Sequence, residues 1–152
     1  MSDLYKTIAA PSEGYYKEKG SKFTGFAIPV FSEEEFKENL ARIKKDNPDS
    51  GHYCYGLRIG ADNKLYRYSD DGEPSSTAGK PIFGQIQSYE LTNIMIVVTR
   101  YFGGTKLGVG GLITAYRAAA KEAIENAKII TQTVDNFYQI QFGYEIMSDV
   151  MN

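Results

Sequence analysis

The chain has no tryptophan, one cysteine and one histidine in 152 residues. A single cysteine, Cys54, excludes an intramolecular disulfide framework. With one histidine beside it, the chain has too few soft ligands for a zinc site. No apolar run approaches the ~20 residues that a membrane span requires, so no membrane partner is expected. Met1 to Phe23 holds no apolar core of the kind a secretion signal needs, which makes the cytoplasm the expected location. Charge of one sign is also scarce: 17 Lys and Arg stand against 19 Asp and Glu, a net charge of −2. A dedicated nucleic-acid binder usually carries a strongly basic balance. Local basic patches remain open, because attraction to phosphate depends on where the charge sits.

What is present is an ordinary globular composition with an aromatic excess. Apolar residues make up 42% and charged residues 24%, values typical of folded domains. The length suits one domain, with room for the opening of a second, and a core of this size needs no disulfide or metal staple. Twelve Tyr and eight Phe stand out. Tyrosine joins an apolar ring to a polar hydroxyl, so its abundance suggests half-buried surfaces or a contact face.

Residues 1–20 read as a polar lead-in segment with Pro11, Gly14 and Gly20. Phe26, Ile28 and Val30 alternate along a strand over 22–30, with Pro29 marking an edge or an end. Ser32 and Glu35 have capping-box spacing. Phe36, Leu40 and Ile43 continue as one helical stripe, stopped by Asp46-Asn47-Pro48. Alternation over 53–59, a Gly60-to-Asn63 turn and a return over 65–69 predict a hairpin. A polar loop follows over 70–81, and then a short helix over 82–89. Ile94-Met95-Ile96-Val97-Val98 is apolar throughout, as a central strand buried on both faces would be. A helix over 110–127 follows, its inner face lined by Leu112, Tyr116, Ala119, Ala120, Ala123 and Ala127. Thr131 to Asp135 reads as a linker. Phe137, Ile140 and Phe142 suggest a further strand, with a helix starting at Tyr144.

Three segments could carry chemistry. The first runs from Arg100 through Gly103, Gly104, Lys106, Gly108, Gly110 and Gly111, five glycines between a strand and a helix. Glycine lets backbone N–H groups approach a ligand closely, and a helix start offers free N–H groups and the positive end of the dipole. Arg100 and Lys106 would add full charges, which makes the segment an anion cradle. Neither the P-loop nor the dinucleotide spacing is satisfied, and a tight turn with close helix packing calls for the same glycines. The second segment, Asp70-Asp71-Gly72-Glu73 with Lys80 further on, gathers carboxylates that could hold a hard cation. These are also standard turn residues, and the reading preferred is a surface loop without metal. The third is the pair His52 and Cys54, side by side on one strand face. A lone cysteine there reads as a small buried hydrophobe, and no catalytic residue is assigned.

These segments resemble the IMPACT N-terminal / YigZ family. Ser69-Asp70-Asp71-Gly72-Glu73-Pro74 through Thr77-Ala78-Gly79-Lys80-Pro81 is similar to its acidic-loop signature. Arg100-Tyr101-Phe102-Gly103-Gly104, Lys106-Leu107-Gly108, Gly110-Gly111-Leu112 and Ala115-Tyr116 are similar to its second. Ser21-Lys22-Phe23 and His52-Tyr53-Cys54 match weaker motifs. Ser76 stands where the family often has glycine, and Thr114 where it often has a basic residue. The resemblance implies an α+β fold like domain 2 of ribosomal protein S5, a mixed sheet with helices on one face, over residues 21–131. It also implies a ferredoxin-like second domain, of which 135–152 would be the beginning, as in a truncated product. Eukaryotic relatives that restrain a starvation-activated translation kinase carry an additional domain with no counterpart here.

The function expected is a non-catalytic binding module, RNA- or ribosome-associated and linked to translation or its regulation. Its partners would be RNA or another polyanion, or a protein of the translation machinery, with no cofactor. Two alternatives stay open: an enzyme acting on a phosphorylated metabolite, and a protein–protein interaction scaffold.

Overall fold

The computed structural model describes residues 4–134. The strand and helix expected over 135–152, and with them the second domain, lie outside the described residues. Seven strands and three helices follow in the order β1 (Leu4–Ile8), β2 (Ser12–Glu18), β3 (Ser21–Pro29), α1 (Glu33–Asp46), β4 (Tyr53–Ile59), β5 (Leu65–Ser69), α2 (Gly79–Ser88), β6 (Ile94–Tyr101), α3 (Gly108–Glu125) and β7 (Ile129–Thr133).

Five strands form one sheet in the order β2-β3-β6-β4-β5. The expected mixed sheet is not found: each neighbouring pair is antiparallel. Two hairpins, β2–β3 and β4–β5, are joined through α1, and β6 enters between them antiparallel to both. The parallel relation of β3 to β4 therefore never becomes a ladder. As the apolar run predicts, β6 is central, and Ile94 to Val98 are wholly buried.

Burial on both faces of β6 demands cover on both sides. Ile94, Ile96 and Val98 pack with α2 and α3. Met95 and Val97 pack with Phe36 and Ile43 of α1. Helices on one face only is thus corrected to two helices on one face and one on the other. The α1 start follows its sequence signal, with Ser32 Oγ accepting from the Glu35 N–H at 3.1 Å. The return bond goes one residue further back than a capping box, from the Phe31 N–H to Glu35 Oε1 at 2.9 Å.

The alanine stripe of α3 lies on glycines. A Cβ at Gly14 would come 2.2 Å from the Ala123 nitrogen, and one at Gly25 2.7 Å from the Ala119 carbonyl oxygen. Strand and helix backbones meet there without side chains between them. Gly14 belongs to β2, so the residues expected as a lead-in segment contribute an edge strand beneath the long helix. The other N-terminal strand, β1, pairs antiparallel with β7, which turns the expected linker over 131–133 into the end of a strand.

Candidate functional site

The acidic loop and the glycine loop emerge at the same end of the sheet and are joined by side chains. Arg100, near the end of β6, directs Nη1 at Glu73 of the acidic loop, 3.0 Å from Oε2 and 3.3 Å from Oε1. Both side chains are buried, 10% and 4% exposed. The Tyr116 hydroxyl, on the inner face of α3, donates to Glu73 Oε2. His52 Nε2 stands 3.9 Å from Glu73 Oε1. The guanidinium lies 5.6 Å from the Phe23 ring centroid and 5.4 Å from that of Phe102, distances at which a cation is attracted to a ring face.

Asp70 serves the fold of α2. Its Oδ1 accepts from the N–H groups of Ala78 (3.1 Å) and Gly79 (2.9 Å), and its Oδ2 from Ser76 (2.9 Å). A carboxylate at a helix start satisfies free donors and complements the dipole. This capping lets α2 begin at Gly79 rather than at 82, with Pro81 in the first turn where its missing N–H is no loss. Asp71 Oδ2 accepts from the Tyr53 N–H at 2.7 Å, and the Asp71 carbonyl meets His52 Nδ1 at 2.7 Å. All three carboxylates expected at a surface site are thus bound by protein groups, and Glu73 is buried. Lys80 is exposed on α2. Among the described residues, no cluster of three or more His, Cys, Asp or Glu is placed to hold a metal.

Cys54 is wholly buried. Its thiol donates to the Asp70 carbonyl at 3.1 Å. Burial pushes it up to about 12, with Glu73, Asp71 and Asp70 adding in the same direction and a Tyr116 hydrogen bond opposing. A thiol so raised is a poor nucleophile. Burial also raises the Tyr116 hydroxyl, with Cys54 and Glu73 adding to it.

In the glycine loop the glycines have separate tasks. Gly103 packs on the β2–β3 turn, where a Cβ would fall 2.1 Å from the Gly20 carbonyl carbon. Its N–H donates to Ser21 Oγ at 3.0 Å. Gly104 and Gly108 hold φ of +92° and +75°, in the region that favours glycine. A Cβ at Gly104, Gly108 or Gly110 would meet nothing within 4 Å, whereas one at Gly111 would press on Leu107. Helix α3 starts after Leu107 without a side-chain cap and without an acid in its first turn. Lys106 is exposed beside it, while the charge of Arg100 is balanced by Glu73.

The link among Glu73, Arg100 and Tyr116 was not foreseen as a unit. Its traces in the sequence were an acid inside one signature, a base opening the other, and a tyrosine in the alanine stripe.

The Impact N-terminal domain family model matches residues 19–124. The IMPACT family member YvyE of Bacillus subtilis is 32% identical over 152 residues, covering 100% of this chain and 70% of that protein. The IMPACT family member YigZ of Escherichia coli is 32% identical over 144 residues, covering 93% and 71%. A crystal structure of a hypothetical protein is similar at a TM-score of 0.83 and 32% identity, over 88% of this chain and 66% of that one.

Proposed function

This chain belongs to the Impact N-terminal domain family, and from that premise we propose that it is a non-catalytic, RNA-binding module linked to translation or its regulation. The observation that carries the reading is the open backbone of Gly104, Gly108 and Gly110 at the uncapped start of α3, next to exposed Lys106. The first N–H groups of a helix have no partner within it and lie at the positive end of its dipole, which suits a phosphate. Arg100 takes part indirectly, since its pairing with Glu73 fixes the end of β6 from which the loop departs. The translation link, the S5-like fold and the division into a domain over 21–131 and a second from 135 rest on the family resemblance and belong to the same proposal.

Fluorescence anisotropy with labelled single-stranded RNA across a salt series tests it. Affinity falls with salt by a log–log slope of about −0.7 per phosphate contacted. Lys106→Ala flattens that slope by somewhat under one unit. Gly104→Val blocks backbone approach without changing charge. If RNA binds and neither substitution matters, the loop is a packing device.

A protein-interaction scaffold is the second reading, favoured by Phe102 and Val109, which are 61% and 59% exposed at the same loop. Absence of any binding to RNA turns the balance to it.

A further inference from the structure

The outer edge of the sheet carries a second surface that the glycine loop does not explain. Tyr66 and Tyr68 alternate onto one face of β5, the edge strand, and remain 54% and 45% exposed. Their rings lie near that of Phe83 in α2. Centroids are 5.1 and 5.5 Å away, with planes 22° and 25° from parallel. The register explains the arrangement. Tyr68 stands opposite Gly56, and Tyr66 opposite Arg58. At Gly56 a side chain would strike the Phe83 backbone at 3.0 Å, so its absence lets α2 settle onto β4 and brings Phe83 beneath the tyrosines.

Charge accompanies the rings. Arg58 lies 6.0 Å from the Phe83 centroid, with Nε donating to the Leu91 carbonyl at 2.9 Å. The exposed Lys80 is one turn of helix before Phe83. Asn63 and Gln87 complete the lining of a hollow of about 320 Å³, none of whose lining side chains is acidic. In a chain of net charge −2, a hollow with two cations and no carboxylate is complementary to an anion. Exposed aromatic faces beside cations are how proteins hold single-stranded nucleic acid, bases on the rings and phosphates on the charges. Asn63 and Gln87, and the hydroxyls of the two tyrosines that line it with them, are partners of the kind a ribose 2′-hydroxyl uses.

We propose that Tyr66, Tyr68 and Phe83, with Arg58 and Lys80, form a base-stacking platform for single-stranded RNA, separate from the glycine loop. The proposal rests on the reading of the domain as an RNA-binding module, and adds to it the part that recognises bases. Both tyrosines are about half exposed on an edge strand and rest on Phe83 of the core, so the urea midpoint of each variant is measured beside its binding.

The test is anisotropy of the full chain with three labelled probes: oligouridylate, its abasic ribose-phosphate counterpart, and oligothymidylate. Wild type binds oligouridylate more tightly than either of the others. Tyr66→Ala and Tyr68→Ala each weaken oligouridylate binding by about tenfold and leave the abasic probe unaffected, because only the stacked base is lost. Tyr66→Phe and Tyr68→Phe keep the ring and retain affinity within about twofold. Lys80→Ala weakens both ribose probes and flattens their salt slopes. The platform is overturned if the tyrosine substitutions leave oligouridylate binding intact while Lys106→Ala weakens it; the RNA-binding module then stands without it. Equal affinity for oligothymidylate overturns the assignment to RNA. Failure of wild type to bind any probe overturns platform and module together.

Discussion

Glu73 and Arg100, one from each signature segment, form a buried ion pair of 3.0 Å that ties the acidic loop to the end of the central strand. The Tyr116 hydroxyl extends it to α3, so the acidic loop, the end of β6 and α3 are held at one point. The same pair sets the tasks of the two loops. Glu73 is occupied and unavailable to a cation, and Arg100 is occupied and unavailable as a free charge. What remains open is backbone, at Gly104, Gly108 and Gly110.

Breaking one half of this pair should be costly. Glu73→Gln keeps an oxygen for the Tyr116 hydroxyl and removes the charge, leaving a buried guanidinium whose Nε already lacks a partner. An uncompensated buried charge costs about 3–5 kcal/mol. Urea denaturation should show a loss in that range, with part recovered in Glu73→Gln/Arg100→Met. A loss below about 1 kcal/mol would mean that the pair is not stabilising.

In the core, Ile96 is wholly buried on the central strand, where neighbours on both sides prevent collapse. Ile96→Ala should cost about 2–5 kcal/mol through the cavity it leaves. The measurement is the urea midpoint at unchanged slope.

The hairpin, the central strand and the long helix were legible because each has a periodicity of its own: alternation over 53–59, an unbroken apolar run over 94–98, and a stripe ending in Ala119, Ala120 and Ala123. Other features depended on distant partners. Pro81 is compatible with a first turn, but the start at Gly79 depends on the Asp70 carboxylate, which reaches it from across the loop. Gly14 reads in the sequence only as part of a polar lead-in and Gly25 as one position of a strand, and only α3 lying against them shows their use. The cover on both faces of β6 was implied by its apolar run, yet the family expectation of one covered face prevailed over it. At the site, the glycine loop was recognisable by composition, whereas the Glu73–Arg100 pair needed the sheet order to bring 73 and 100 together.

The acidic loop should bind no divalent cation with useful strength. Asp70 caps α2, Asp71 accepts from the Tyr53 N–H, and Glu73 holds Arg100. A hard cation needs several free oxygen ligands. Calorimetric titration with Mg²⁺, Mn²⁺ and Ca²⁺ should give no affinity tighter than about millimolar, near the weak end of protein calcium sites. Tighter binding would revive the enzyme alternative.

Cys54 should make stability fall at alkaline pH. Its thiol is raised from 9.0 to about 12 in the fold, first by burial. Between those values the unfolded chain releases the proton and the folded chain keeps it. Stability from this group is therefore full below about pH 9 and is lost as pH rises towards about 12, by on the order of 4 kcal/mol. Cys54→Ala should flatten the urea midpoint against pH over that window. Tyr116, raised in the same direction, keeps a smaller slope in the variant. Native-state alkylation of Cys54 should be slow and should follow unfolding.

Two glycines of the same loop should respond oppositely to alanine. At Gly103 a Cβ would fall 2.1 Å from the Gly20 carbonyl carbon and 2.4 Å from the Ser21 nitrogen, backbone atoms that cannot rotate away. Gly103→Ala must separate the β2–β3 turn from the loop and weaken the bond from its N–H to Ser21 Oγ, so a loss of about 1–3 kcal/mol is expected. Gly110 lies in the first turn of α3, and a Cβ there meets nothing within 4 Å. Alanine is the better helix former, so Gly110→Ala should raise stability by roughly 0.5–1 kcal/mol. If the open backbone of this turn receives phosphate, the same methyl should hinder approach, and RNA affinity should fall while stability rises. Urea denaturation and anisotropy on one protein preparation separate the two effects. A Gly110→Ala variant that is more stable and binds RNA as wild type does would show that this glycine contributes nothing to the ligand and would move the contact towards Gly104 and Lys106.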